Sequence, residues 1–215
     1  MSEIQIIIMI CNVLAFIPAI VFHEFMHGWA AWKLGDNTAK AQGRLSFNPL
    51  KHIDPFGTVV LPLLLIIMGG PVFGYNPANF KNPRRDDLLV GLAGPSGNLV
   101  LALVGSALMY GLQSMYTNTA PEIFIYFYGV FLPIFIMVNL YLMFFNLLPI
   151  PPLDGSSIFA FLLPGKYLPQ YYRIQQYALP VFLIVIFVLP YLIHVNLISM
   201  YLNVTAGNLA TLLIP

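Results

Sequence analysis

From Ile4 to Phe22 the chain carries no charged side chain, and this run does not end at a turn. It passes straight into His23-Glu24-Phe25-Met26-His27. An uncharged stretch of this kind suits a membrane-crossing helix, which needs ~20 apolar residues to traverse the hydrocarbon of a bilayer. Three ionisable groups set into its continuation are costly there unless they serve a purpose. Helix-compatible sequence goes on to Leu34, where Gly35 and Asp36 stop it, and Trp29, Trp32 and Lys33 gather at that end as anchors to the membrane surface. Glu3 precedes the run, no Lys or Arg does, and no small-residue cleavage site follows. The segment is therefore expected to stay in the mature protein rather than act as a signal peptide.

The rest of the composition agrees. Only 8% of the 215 residues are charged, 9 Lys+Arg against 8 Asp+Glu, while 59% are hydrophobic. That is too little charge to coat a water-facing surface. The expected fold is an all-α polytopic membrane protein of about four to six transmembrane helices. Residues 1–215 are expected to form a single domain, with a core over about 4–160 and a helical tail over 176–215. A net charge of +1 without a basic block removes the electrostatic case for nucleic acid, and a single cysteine, Cys11, forbids an intrachain disulfide.

Residues 35–55 turn polar, and Arg44-Leu-Ser-Phe-Asn48 alternates with period two, which predicts a short strand. A small β-hairpin or re-entrant element is thus expected between the HExxH helix and the next span, with 72–75 as the strand's partner. Residues 56–73 are apolar but broken by Pro62 and by Gly69-Gly70-Pro71. If they cross the membrane, the basic residues divide almost evenly between its faces; if they dip in and return, all 9 lie on one. The positive-inside rule favours the second arrangement and makes that face cytoplasmic. Two further helices are expected over about 88–116 and 123–148. A Pro-rich turn follows, Pro149-Ile-Pro-Pro-Leu-Asp154-Gly155, and then an apolar tail interrupted by Pro180 and Pro190.

Histidines four apart lie on one helix face, so both imidazoles of His23 and His27 can reach one metal ion, and the adjacent Glu24 can act as general base toward a water there. Imidazole nitrogen and carboxylate oxygen suit zinc, and a catalytic zinc site needs three protein ligands. A metzincin-type third histidine is ruled out by Ala30 and Lys33 at the positions where Gly and His would stand. Glu3 and Glu122 fall at the opposite membrane face. Asp154 returns to the same face as the histidines and is either the third ligand or a turn carboxylate before Gly155.

These elements together resemble the site-2 proteases, the intramembrane zinc metalloproteases. The likeness rests on HEFMH in a membrane helix, Gly94-Pro95 with Asn98 in a later helix, and Asn146-Leu-Leu-Pro149-Ile-Pro-Pro-Leu-Asp154-Gly155, with Asn48-Pro49 and His52-Ile-Asp54-Pro55 between. It covers roughly Phe16 to Phe159 and matches compact members without a PDZ module. The resemblance implies one zinc ion per chain, with His23, His27 and Asp154 as ligands and Glu24 as the catalytic carboxylate. Where many relatives read Asp-Gly-Gly-Arg, this chain reads Asp154-Gly155-Ser156-Ser157.

The expected function is hydrolysis of a peptide bond in or near a transmembrane segment of another protein, in the cell (inner) membrane and toward its cytoplasmic face. Asn98, Asn146 and His52 are candidates for substrate or oxyanion contacts, each also readable as a local hydrogen-bonding group. The partners expected are a membrane-spanning substrate and the lipid bilayer. Two other classes remain open at this point: a metal-handling or transport protein using the same donors, and a proteolytically silent relative that acts by binding. Transport needs polar groups along a whole path through the bilayer, whereas these cluster near one face, and an intact Glu24 speaks against a silent relative.

Overall fold

The computed structural model describes residues 2–51, 79–117, 119–175 and 177–215. Helix α1 spans Glu3–Lys33. Ser2 starts it with a capping box: the Ser2 side chain accepts from the Gln5 amide, and the Gln5 side chain accepts from the Ser2 amide at 2.9 Å. Its end is set by Gly35, whose φ of +109° suits a residue without a Cβ. Helix α2, Thr38–Ala41, is a single turn. Helix α3, Pro83–Leu112, begins with Pro83, where a missing N–H costs nothing. Helix α4 covers Glu122–Asn146. It widens into a π-helical turn over Phe127–Phe131.

Beyond α4 the elements shorten, as the prolines there require. Helix α5 is Gly155–Leu162 and α6 is Leu168–Gln175. Helix α7, Pro180–Leu192, lies at 66° to the Gly165–Gln175 stretch, and α8 spans Leu197–Leu213. Among the described residues, three helices, α1, α3 extended to Met115, and α4, are long and apolar enough to cross a membrane, or four if the bent pair counts as one crossing. Along α1 the apolar Ile10, Val13, Leu14 and Ile17 are exposed. For a soluble protein that surface would be a liability; in a bilayer it faces its solvent.

The three long helices pack against one another pairwise. α1 leaves and α3 enters at the same end of the bundle: Asn79 donates from Nδ2 to Asp36 Oδ1 at 2.7 Å, across the stretch 52–78 that is not described. The expectations for residues 56–73 and 72–75 lie within that stretch. At the opposite end, Met109, Tyr128, Leu132, Ile136 and Leu140 form a buried apolar cluster, completed by Ala206 and Ala210 of α8.

The strand expected over 44–48 is not there. Among the described residues there is no strand, and 44–48 is a bent connection. Its alternation is real, but its side chains satisfy its own backbone: Ser46 Oγ accepts from the Asn48 amide at 3.2 Å, and Asn48 Oδ1 from the Leu50 amide at 3.0 Å. Such local bonds compete with a ladder, and Pro49 brings no N–H to one. Phe47, the apolar member of the alternation, stacks on Phe22 and Phe25 of α1 instead of facing a partner strand.

Candidate metal centre

His23 and His27 sit on the α1 face turned toward α3, one helical turn apart, with their Nε2 atoms 2.9 Å from each other. Asp154, at the start of α5, places Oδ2 3.1 Å from His23 Nε2 and 3.2 Å from His27 Nε2. The donor atoms of these three residues all lie within 4.8 Å of one another. A tetrahedral ion with ligand bonds of ~2.0–2.1 Å holds its donors ~3.3–3.4 Å apart, only a few tenths of an ångström more than the 2.9–3.2 Å between these three atoms.

The remaining ring nitrogens explain why these three atoms face inward. His27 Nδ1 donates to the Val90 carbonyl at 2.7 Å, and His23 Nδ1 donates to Asn98 Oδ1 at 2.7 Å. An imidazole whose N–H is engaged on one side presents a lone pair on the other, the arrangement that metal-ligating histidines use. Burial opposes charge on Asp154, but an imidazole that carries a proton on Nε2 beside it outweighs burial and holds the carboxyl below its ordinary pKa. Asp154 Oδ2 is buried with no hydrogen-bond partner. Two lone pairs and an anionic oxygen thus converge where positive charge is needed. A proton answers part of that demand, and a divalent cation answers all of it. The residues fit zinc.

Helix α3 makes this closeness possible. A Cβ added at Gly94 would lie 2.6 Å from Cε1 of both His23 and His27, so any side chain there would displace the rings. One turn earlier, Gly91 lets α5 approach: its Cβ would collide with Ser157 Oγ and lie 3.0 Å from the Asp154 carbonyl. One turn later, Gly97 does the same for Met26, at 2.7 Å. Pro95 lacks the N–H that would bond Gly91, which loosens α3 beside the Val90 carbonyl that His27 uses.

The other expected residues are placed as follows. Glu24 is exposed on α1 between the two histidines. Asn98 is fully buried, bonded to His23 and, through Nδ2, to the Ala19 carbonyl at 3.2 Å and to Asn139 Oδ1 at 3.1 Å. Asn146 donates to the Leu142 carbonyl of its own helix at 2.9 Å. His52 lies outside the described residues. Reasoning from sequence passed over Asn139, Gly91 and the Val90 carbonyl. A backbone carbonyl leaves no mark in sequence, but Asn139 does: a lone amide inside the apolar run from Leu132 to Phe145 is expensive without a partner.

The sequence model of Peptidase family M50 matches residues 115–189. The protein named "Putative zinc metalloprotease YwhC" of Bacillus subtilis is 42% identical over 184 residues, covering 83% of this chain and 80% of that protein. The chain belongs to peptidase family M50. Two other similar proteins extend the M50 comparison. "Putative zinc metalloprotease Rip2" of Mycolicibacterium smegmatis is 34% identical over 69% of this chain, which spans 55% of that longer protein. "Putative zinc metalloprotease MJ0611" of Methanocaldococcus jannaschii is 31% identical over 72% of this chain and 71% of its own length. No solved structure is significantly similar. With its apolar spans, this M50 chain is a membrane metalloprotease whose cofactor is zinc.

Proposed function

We propose that the protein is an intramembrane endopeptidase of the site-2 type, which hydrolyses a peptide bond in or near a transmembrane segment of another protein. His23, His27 and Asp154 hold the zinc, and Glu24 is the general base. The observation that carries this reading is the convergence of His23 Nε2, His27 Nε2 and the otherwise unsatisfied Asp154 Oδ2 at 2.9–3.2 Å, on a helix whose outward residues are apolar. Lys33 stands ten positions after His23 and six after His27 at ~1.5 Å per residue, which puts the donors ~15 and ~9 Å from the membrane surface.

Zinc held by these residues supplies a Lewis acid that acidifies water and polarises a peptide carbonyl. The Glu24 carboxylate takes a proton from the water as its oxygen bonds to the carbonyl carbon. The C–N bond then breaks, and Glu24 returns the proton to the leaving nitrogen. Asn98 Oδ1 and Nδ2 are engaged with His23, Ala19 and Asn139, so its part is to orient His23. Asn146 keeps one amide hydrogen beyond its bond to Leu142 and is the better candidate for holding a substrate carbonyl, and His52 is a second candidate for that contact.

Orientation belongs to the same proposal. Asp36 and Asn79 meet at one end of the bundle, and Arg84 bonds carbonyls at the end of α5, so the segments bearing the basic residues gather there. The positive-inside rule makes that face cytoplasmic, in the cell membrane, and residues 1–215 act as one catalytic domain. The test is a cleavage assay on a membrane-spanning substrate with purified wild type and Glu24→Gln. The variant is expected to keep its zinc and to lose at least ~10²-fold in rate, the low end for loss of a general base. Cleavage at the wild-type rate by Glu24→Gln would overturn the assignment.

A further inference from the structure

The amide pair Asn98 and Asn139 is fully buried between α1, α3 and α4, and its bond directions follow from its two ends. The Phe135 carbonyl, 2.8 Å from the Asn139 side chain, can only accept, so Nδ2 of Asn139 faces it. Asn139 Oδ1 is thereby turned to Asn98, 3.1 Å away, and demands a donor. Asn98 supplies Nδ2, which also lies 3.2 Å from the Ala19 carbonyl, a second group that only accepts. That leaves Asn98 Oδ1 facing His23 Nδ1 at 2.7 Å, where only an N–H is satisfied. His23 then carries its proton on Nδ1 and leaves Nε2 bare toward Asp154 and His27.

Reversing Asn98 would set its oxygen against both Ala19 O and Asn139 Oδ1 and would present Nδ2 to His23. That arrangement selects the tautomer protonated on Nε2, which cannot bind a metal. Without Asn139, one N–H of Asn98 is buried unpaired and only Ala19 opposes the reversal. We propose that Asn139 is a positioning residue of the zinc centre: through Asn98 it holds His23 in the tautomer that binds metal. The proposal rests on His23 being a zinc ligand, as argued above.

The test is the zinc dissociation constant of the full chain in nanodiscs, measured by chelator competition. Asn139→Leu keeps the volume and removes both polar atoms. Asn139→Asp keeps an acceptor toward Asn98 and, protonated in its apolar setting, a donor toward Phe135. The Leu variant is expected to raise the constant ~10–100-fold, and the Asp variant to stay within about threefold of wild type. Asn139→Val and Asn139→Met are made alongside, so the result does not hang on one apolar variant folding. A purely structural Asn139 predicts the reverse: apolar variants that change the thermal midpoint and leave the zinc constant alone, which would overturn the proposal. His23→Ala separates this from failure of the site itself. It is expected to lose zinc, and a His23→Ala protein that binds zinc normally would remove the site reading and the Asn139 role with it.

Discussion

The same three helices build two unlike halves. At the metal end, α1, α3 and α4 meet through hydrogen-bonded side chains and through glycines, with His23, Asn98 and Asn139 all buried. At the far end α3 and α4 meet through Met109, Tyr128, Leu132 and Ile136, with Tyr128 stacked on Tyr116 at 4.6 Å. In lipid, apolar packing gains little over lipid contact, so the α3–α4 seam of the far half is held by fit, with α8 tied on where Ser106 Oγ donates to the Leu213 carbonyl at 2.6 Å, whereas a polar group at the metal end has no substitute partner in the hydrocarbon. The metal end should therefore be intolerant of chemical change, and the far α3–α4 seam intolerant of changes in shape.

The sharpest test of that difference is Asp154→Ala. Removing the only carboxylate of the cluster is expected to bring zinc content and proteolysis to background together, as measured by metal analysis and cleavage. If full zinc and full activity survive, the third ligand is elsewhere and Asp154 is a turn residue. Next in size is a pair of identical substitutions on one helix. Gly94→Ala puts a methyl 2.6 Å from Cε1 of both imidazoles and is expected to weaken zinc binding at least ~10-fold. Gly111→Ala meets nothing within 4 Å and should leave zinc binding unchanged while stabilising α3 by up to ~1 kcal/mol. Equal effects from the two would erase the distinction between the halves.

How much of this was legible beforehand depends on whether the information is periodic. The long apolar runs and the four-residue spacing of the histidines are periodic, and they placed α1 and its two donors to within a residue of the observed Glu3–Lys33. Asp154 was legible through charge, because the distribution of Lys and Arg brought its loop back to the histidines' end, and its distances of 3.1 and 3.2 Å agree. The strand over 44–48 misled because period-two alternation says nothing about whether Ser46 and Asn48 will take up the backbone N–H groups themselves. The order of approach along Gly91, Gly94 and Gly97 was invisible for another reason. A small residue records that something comes close but not what, and here it is α5, the imidazoles and Met26 in turn.

A change at the far end tests the other side of the comparison. Ile136 is fully buried against Gly105, whose added Cβ would lie 2.9 Å from it. Ile136→Ala opens a cavity that costs about 2 kcal/mol or more in well-packed cores. It is expected to lower the thermal midpoint of the zinc-loaded protein while leaving the zinc dissociation constant within about twofold. A large loss of zinc affinity would mean that the two halves move as one body.

The smallest expected effect concerns Arg84, which joins the metal end to itself at long range. It stands in the first turn of α3 and donates from one guanidinium nitrogen to the carbonyls of Ala160, Phe161 and Leu163, at 3.3 Å and 2.7 Å for the first two. These are carbonyls that a helix leaves unpaired at its C-terminus, where a cation is also favoured by the helix dipole. Since Asp154 is the N-cap of α5, Arg84 fixes the far end of the segment whose near end carries the carboxylate proposed as a ligand. The near end has its own restraint, because a Cβ at Gly155 would strike the Leu147 and Leu148 carbonyls, leaving α5 little room to shift there. Arg84→Ala is therefore expected to weaken zinc binding only a few-fold, in line with the ~0.3–1 kcal/mol usual for a cation at a helix C-terminus. Arg84→Lys should recover part of it, since a lysine brings the charge without the planar fork. Zinc affinity falling in Arg84→Ala as far as in Gly94→Ala would show that α5 is held from its distal end, and that the Gly155 contact does not by itself keep Asp154 against the histidines.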